Sequence, residues 1–230
     1  ASNGFDVFSH AIESYTAKPF THRPAPEKPS QRPLLQGANP YSDMACLEAI
    51  KIVGENIEKA VNQNGSLEEL EALSLAGMLA GIGFGNAGCH LPHAMSYAVA
   101  GLVKNYKPKD WPSDHPMVPH GISVIVNSPA AFRFTSEACP DRHLKAAEAL
   151  GVDVRNLPTN KAGKVLGDKV IDLMKKTGLP NGLKGVGYNE ADIDSLAENT
   201  LPTKRLLDIS PRAVDSKILK TIFRDAMSYW

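Results

Sequence analysis

The stretch GFDVFSHAIESY, at residues 4–15, decides how the chain begins to fold. Because no glycine or proline follows Gly4 within it, the stretch predicts a helix, with Asn3 as the candidate N-cap. Asp6 and His10 are four residues apart, so their side chains project from one helix face. Isolated pairs of this kind are common on solvated helix surfaces, but they can also bind one divalent ion. A carboxylate and an imidazole suit Zn, Fe, Co or Ni.

Two further histidine motifs favour the metal hypothesis. A glycine-rich approach at residues 81–88 leads into a second helical stretch that contains His90 and His93, and the string PHG contains His120. His90 and His93 are three residues apart and can share a helix face, so their spacing leaves both open as ligands. One carboxylate and three imidazoles together predict a site for a single divalent metal.

The remaining sequence also predicts helices. Residues 18–41 contain six prolines and predict an extended surface loop, after which apolar residues recur at helical spacing from Ser42 to Val61. Ser66 and Glu69 form a capping box that opens the next helix. Further helices are predicted at residues 122–134, 140–150, 161–176 and 189–196, the last of these capped by Asn189, and a final helix starts at Pro211. The run ISVIV, at residues 122–126, is the one β-like segment, and we interpret it as buried helix. The expected fold is therefore all-α.

Composition limits the class of protein. With 230 residues, 43% hydrophobic and 22% charged, the chain can bury one substantial core. Its 25 basic and 25 acidic residues cancel, and no basic run is interleaved with aromatic residues, so we expect no nucleic-acid partner. The longest apolar run, at residues 73–84, is too short and too rich in glycine to span a membrane. Cys46, Cys89 and Cys139 are widely spaced, which fits a reducing compartment, and we interpret each as a small core residue.

Gly83, Gly85 and Gly88 spell GxGxxG, a pattern that dinucleotide-binding folds also contain. In those folds the pattern follows a strand and opens a helix, whereas here it follows a long helical pattern and precedes His90 and Pro92. We therefore reject a dinucleotide-binding role and predict that these glycines allow close approach of the backbone.

Three longer motifs resemble the C-terminal half of the iron-containing (group III) alcohol dehydrogenases: GFDVFSHAIESYTAKPF at residues 4–20, GIGFGNAGCHLPHAMSYAVAG at residues 81–101 and DHPMVPHGISV at residues 114–124. The resemblance covers nearly the whole chain. It implies a helical metal-binding domain of the dehydroquinate synthase-like fold at residues 1–230. It also implies that the family's N-terminal α/β nucleotide-binding domain is absent from this chain, which would then bind little or no NAD(P) alone.

The same resemblance implies a ligand set. The family's aspartate falls on Asp6 and its histidines fall on His10, His93 and His120, which favours His93 over His90. Fe is the metal that the family implies, with Zn as the alternative. NAD(P) is the cofactor implied for the intact enzyme.

Within the family, the long segment at residues 101–119 is similar to the hydroxyacid-oxoacid transhydrogenase branch. Such an enzyme moves hydride from 4-hydroxybutyrate to 2-oxoglutarate through bound nicotinamide. Many other family members have a second histidine near the nicotinamide where this chain has Tyr97, so we assign Tyr97 to cofactor binding. Lys104 and Lys107, with Lys109, are candidate cations for the substrate carboxylates, although lysines in a polar loop are usually solvated.

Three alternatives stay open. An iron-containing alcohol dehydrogenase would use NAD(P) and another substrate. A metal-dependent hydrolase would need a general base. Glu13 is close in sequence, although its position three residues after His10 also fits helix surface. A helical fragment, finally, would catalyse nothing.

The beginning of the chain is Ala1 rather than Met, and it shows no signal or transit pattern. We therefore expect a piece of a longer protein, whose location cannot be read from this chain. The resemblance implies a mitochondrial location for a transhydrogenase and a cytoplasmic one otherwise. The expected partner is a small hydroxy acid, oxo acid or alcohol, with no membrane association, and a homodimer stays open.

Overall fold

The computed structural model describes residues 1–62, 65–109 and 111–230, and it folds them almost entirely into helices. In these ranges there is no strand, only an isolated bridge between Pro19 and Ala38. The expected all-α fold is confirmed. The described α-helices are α1 (Ser2–Thr16), α2 (Pro40–Asn62), α3 (Leu67–Ala87), α4 (Leu91–Gly101), α5 (His120–Ile125), α6 (Ser128–Thr135), α7 (Pro140–Ala149), α8 (Ala162–Lys176), α9 (Ile193–Thr200), α10 (Lys204–Leu207) and α11 (Ser216–Asp225).

Helix α1 lies in the core of the fold. Its residues Phe5, Phe8 and Ile12 are fully buried, at the spacing of one helix face. They belong to a continuous apolar cluster to which helices from α1 to α11 contribute. Because α1 packs against α2, α3 and α5, the helix that carries Asp6 and His10 is held from several sides.

Helix α3 begins and ends as its sequence suggests. The capping box of Ser66 and Glu69 is present at its start, and Gly88 ends it with a φ of 89°. A Cβ atom at Gly83 would collide with Sγ of Cys46 on α2. The predicted close approach of the backbone is therefore confirmed at Gly83, where it lets α2 and α3 pack tightly.

The outer face of α3 is apolar. By length and composition alone this 21-residue helix could cross a membrane, and 22% of its most apolar window is buried. The helix is thus longer than the apolar run at residues 73–84, which alone is too short to span a membrane. Leu67, Leu75 and Met78 are exposed, whereas the inner face packs against α1 and α2.

The proline-rich segment follows its prediction closely. It is irregular and mostly exposed, with two short 3-10 turns, and α2 begins at Pro40. Its two ends are held by backbone hydrogen bonds. The amide of Lys18 donates to the carbonyl of Ile209 at 2.8 Å, and the amide of Ala38 donates to the carbonyl of Lys18 at 3.1 Å.

Two helix boundaries differ near the candidate ligands. Helix α1 has Ala1 at its N-cap position, so the prediction of Asn3 was wrong. The single helix predicted at residues 122–134 is two helices, α5 and α6. Pro129 lies in the first turn of α6, where a residue without a backbone N–H loses no helical hydrogen bond. In the interior of one continuous helix, the same proline would remove a backbone hydrogen bond.

The prediction that Pro211 starts the last helix was also wrong. The N-cap of α11 is Asp215, whose Oδ1 accepts a hydrogen bond from the amide of Ile218 at 2.7 Å. Asn189 is a cap as predicted, but it caps a short 3-10 turn, and α9 then continues past the predicted end.

Candidate metal centre

Three helices bring the candidate ligands together. Helix α1 supplies Asp6 and His10, α4 supplies His93, and α5 begins with His120. Gly121 allows this meeting, because a Cβ there would collide with the carbonyl oxygen of Ser2 and lie 3.1 Å from Cβ of Asp6. Only a residue without a side chain lets α5 approach α1 so closely.

The donor atoms converge on Asp6. Its Oδ1 lies 3.4 Å from Nε2 of His93 and 3.5 Å from Nε2 of His120. Among the described residues, neither Asp6 Oδ1 nor His93 Nε2 has a hydrogen-bond partner, although both atoms are buried. Donors bound to one tetrahedral ion at about 2.1 Å would lie roughly 3.4 Å apart. These separations and the two unpartnered atoms therefore fit a shared divalent ion.

His10 is oriented by its own helix. Its Nδ1 lies 2.8 Å from the backbone carbonyl of Asp6, so Nδ1 carries the proton and Nε2 keeps its lone pair. The ring centroid lies 4.3 Å from the ring centroid of His93 and 4.3 Å from that of Phe84. The i, i+4 spacing thus gives His10 a fixed ring and a free ligand atom.

Glu13 is the residue that the sequence left open between a general base and helix surface. It is 0% exposed rather than on the helix surface. Its Oε1 accepts a hydrogen bond from Nδ1 of His93 at 2.6 Å, and its Oε2 accepts from the backbone amides of His90 at 2.8 Å and His93 at 3.3 Å. The sequence feature that placed Glu13 near the ligands was its position seven residues after Asp6, on the same helix face.

The carboxylates control the charge of the centre. Burial alone disfavours the imidazolium of His93, but the charge of Glu13 and the contacts with Glu13 and Asp6 outweigh it and raise the pKa of His93 to about 9. Burial likewise opposes ionisation of Asp6 and Glu13, yet their histidine neighbours lower the pKa of both carboxyls. A metal ion at this centre must therefore displace a proton from His93.

His90 and His93 lie in different surroundings. Nε2 of His90 contacts the hydroxyl of Thr16 at 3.0 Å, and burial lowers the pKa of His90 to about 4. Its side chain belongs to neither group of candidate metal donors found in the described residues, whereas His93 belongs to both.

A thiol also borders the centre. Donor atoms of His10, Cys89 and His93 lie within 4.8 Å of one another, as do those of Asp6, His93 and His120. Burial, and then the charges of Glu13 and Asp6, raise the pKa of the Cys89 thiol well above its usual value, which disfavours a thiolate ligand.

Two aromatic residues flank the exposed side of the centre. Tyr97 is 45% exposed, and its ring is stacked near His120 with a centroid distance of 6.4 Å. Phe84 is 38% exposed beside His10. The His120 side chain is itself 47% exposed, so the centre opens to solvent between these rings.

The candidate substrate lysines differ in their contacts. Nζ of Lys104 is 2.6 Å from a carboxylate oxygen of Asp192, so its charge is already paired. Nζ of Lys107 donates to the backbone carbonyl of Asp114 at 2.5 Å, which leaves its charge without compensation from that contact. Lys109 is exposed.

Comparisons with known proteins agree on one family. Residues 34–227 match the family described as Fe-containing alcohol dehydrogenase family, C-terminal. The chain is 45% identical to the mitochondrial hydroxyacid-oxoacid transhydrogenase of Rattus norvegicus, over 100% of this chain and 50% of that protein. The Homo sapiens protein of the same name shows the same identity and coverage.

A solved structure of 1,3-propanediol oxidoreductase is similar in fold. The TM-score is 0.81 at 27% sequence identity, and the match covers 98% of this chain and 51% of that chain. The chain therefore spans about half the length of the relatives that it matches.

Proposed function

The chain belongs to the Fe-containing alcohol dehydrogenase family, and we propose that the intact protein is a hydroxyacid-oxoacid transhydrogenase. The observation that carries the proposal is the convergence of Asp6, His93 and His120, in a chain whose relatives bear that name. In the proposed reaction, 4-hydroxybutyrate is oxidised to succinic semialdehyde and 2-oxoglutarate is reduced to 2-hydroxyglutarate. The first substrate loses one hydride and its hydroxyl proton, and the second gains one hydride and one proton, so the two half-reactions balance.

Asp6, His10, His93 and His120 are the residues that would hold the metal, which is Fe by family or else Zn. When bound, the metal supplies Lewis acidity toward a substrate oxygen, and the nicotinamide supplies the hydride-carrying chemistry. The chain itself provides an ionised carboxylate at Asp6 and imidazoles fixed on three packed helices. Such rigid placement is what a metal site requires.

The exposed side of the centre is the proposed entrance for substrate. Tyr97 and Phe84 present flat apolar faces beside His120 and His10, so they can exclude water and orient a planar ring such as nicotinamide. Tyr97 therefore stays our proposed cofactor contact. Most of the cofactor would be bound by an N-terminal α/β domain, since the chain spans about half of its relatives' length.

The substrate carboxylates need a cation. Lys107 is the better proposed candidate, because the charge of Lys104 is already paired with Asp192. If Lys107 binds a carboxylate, Lys107→Ala in the intact protein raises the KM for both substrates and leaves the KM for an uncharged alcohol unchanged. An unchanged KM for all substrates contradicts this role.

The hydrolase alternative is not supported by the position of Glu13. Its carboxylate is fully buried and accepts hydrogen bonds from three N–H groups of His90 and His93, so it cannot act as a base for water. The relatives' names support a mitochondrial location and a small hydroxy acid and oxo acid as partners. A homodimer stays a prediction that light scattering would test.

The test is an assay of the intact protein with 4-hydroxybutyrate and 2-oxoglutarate and no added free NAD(P). A transhydrogenase forms succinic semialdehyde and 2-hydroxyglutarate in equal amounts, and its His93→Ala variant forms neither. Turnover that requires added NAD(P) and does not depend on 2-oxoglutarate would instead identify an NAD(P)-dependent alcohol dehydrogenase.

A further inference from the structure

Glu13 is not one of the proposed ligands, yet it touches the most buried of them. We propose that Glu13 is a positioning residue of the metal centre: its carboxylate holds the ring of His93 in the orientation and tautomer that present Nε2 to the ion. This inference rests on the proposed metal site. It adds a residue whose role the sequence did not reveal.

The contact between Glu13 and His93 is short and fully buried. Oε1 of Glu13 lies 2.6 Å from Nδ1 of His93, at the short end of charge-assisted hydrogen bonds. Glu13 is 0% exposed and His93 is 4% exposed, so no solvent competes for either group. Rotation of the imidazole would break this bond in a region where water cannot replace it.

The hydrogen bond decides which nitrogen of His93 is available. Because Glu13 accepts the Nδ1 proton, the ligand lone pair of a neutral His93 lies on Nε2. Nε2 is the atom that faces Oδ1 of Asp6 at 3.4 Å and has no hydrogen-bond partner among the described residues. The orientation that Glu13 enforces is thus the one that the metal site needs.

The second carboxylate oxygen connects two helices that carry ligands. Oε2 of Glu13, on α1, accepts from the backbone amides of His90 and His93 at the start of α4. A carboxylate at this end of a helix also satisfies amides that lack a partner within the helix. Glu13 therefore fixes His93 relative to Asp6 and His10 on its own helix.

Replacement by glutamine separates this role from simple packing. A glutamine at position 13 can still accept from the two backbone amides, but its NH2 group then faces Nδ1 of His93. Nδ1 must accept that hydrogen bond, so the proton moves to Nε2 and blocks the ligand lone pair. A residue that served packing alone would tolerate this change of one atom.

The experiment measures Co(II) binding by the visible spectrum, in competition with a chelator, on the protein and its variants. We expect Glu13→Gln to weaken Co(II) binding by about 10- to 100-fold, the usual effect of losing such a partner. Ser14→Ala is the matched control. Ser14 lies next to Glu13 on α1 and donates a buried hydrogen bond to the carbonyl of Gly88, so its loss removes a buried contact without touching His93. It should bind Co(II) like the wild type.

The outcomes are distinguishable. If the wild type and Glu13→Gln bind Co(II) equally, the role of Glu13 is refuted while the metal site stands. If the wild type binds no Co(II), or His93→Ala binds it normally, the proposed metal site itself fails.

If Glu13→Gln does not fold, Glu13→Asp is the deciding variant, because its shorter side chain cannot reach Nδ1 of His93. Weaker binding with shifted d–d bands supports the proposal, and wild-type binding and bands overturn it.

Discussion

His90 and His93 differ in what their imidazoles contact, and this difference gives the first prediction. The His93 ring lies between the Glu13 and Asp6 carboxylates, whereas the His90 ring lies against Thr16. His93→Ala should therefore abolish metal binding, while His90→Ala should keep the metal and lose stability through the cavity it creates. Metal content by mass spectrometry, on protein purified without chelating resin, tests both. If His90→Ala loses the metal but keeps wild-type stability, the assignment of His93 rather than His90 as the ligand is wrong.

Gly121 gives a prediction about packing beside the centre. Gly121→Ala places a methyl group against the carbonyl of Ser2, so α5 must move away from α1. We expect a loss of about 1–3 kcal/mol in the free energy of unfolding, together with weaker metal binding by displaced His120. Gly81→Ala is the control, because a Cβ there meets no atom within 4 Å and should not destabilise the helix. Equal stabilities in urea unfolding would contradict the prediction.

The stability of the metal-free protein should depend on pH on both sides of neutrality. The pKa of His93 is raised from 6.5 to about 9, so its protonation stabilises the fold fully below pH 6.5, and this contribution is lost as pH rises through 9. Burial lowers the pKa of His90 and His143 from 6.5 to about 4, so stability also falls as pH drops from 6.5 toward 4.

We therefore expect the urea midpoint of the metal-free protein to be highest near pH 6.5. Glu13→Gln should flatten the alkaline side, because His93 loses the carboxylate that raises its pKa, and His143→Gln should flatten the acid side. A midpoint that rises steadily from pH 6.5 to 9 in the metal-free wild type would show that His93 has no raised pKa.

Among the helices, the start of α11 offers a direct test of capping. Asp215 accepts from the amide of Ile218, whereas Pro211 lies before the helix. Asp215→Ala should lower the free energy of unfolding by roughly 1 kcal/mol, and Asp215→Ser should recover most of it. Pro211→Ala should leave the start of the helix unchanged. If thermal unfolding shows the larger loss for Pro211→Ala, the helix begins where the sequence pattern placed it.

Helix prediction succeeded where one face is continuously apolar. Helices α1, α2 and α8 follow periodic patterns that burial in the fold preserves. It failed at residues 122–134 and at Pro211, because an apolar run and a proline each fit more than one local structure. Pro129 could have marked the break between α5 and α6, since proline is tolerated only in the first turn.

The candidate site was predictable as far as motifs extend. Asp6, His10, His93 and His120 lie in motifs that resemble those of a known family. In the described part of the chain, the donor atoms of Asp6, His93 and His120 form one group, and those of His10, His93 and Cys89 form another. The burial of Glu13 depends on the approach of α4, which is distant in sequence. Its spacing from Asp6 therefore indicates a shared helix face but not burial against His93. Spacing alone would not have excluded His90, whose surroundings are likewise set by tertiary packing.

At the scale of the whole molecule, metal binding and cofactor binding should depend on different parts of the protein. All four proposed ligands lie on helices of this chain, Asp6 and His10 on α1, His93 on α4 and His120 on α5, so we expect metal binding to need no residue outside it. The nicotinamide cofactor, by contrast, is proposed to depend on residues outside it, because relatives are about twice as long. Calorimetry on the chain alone should therefore detect Co(II) binding but no NADH binding, and the intact protein should bind both. NADH binding by the chain alone, retained in Tyr97→Ala, would mean that the helical half holds its own nucleotide site.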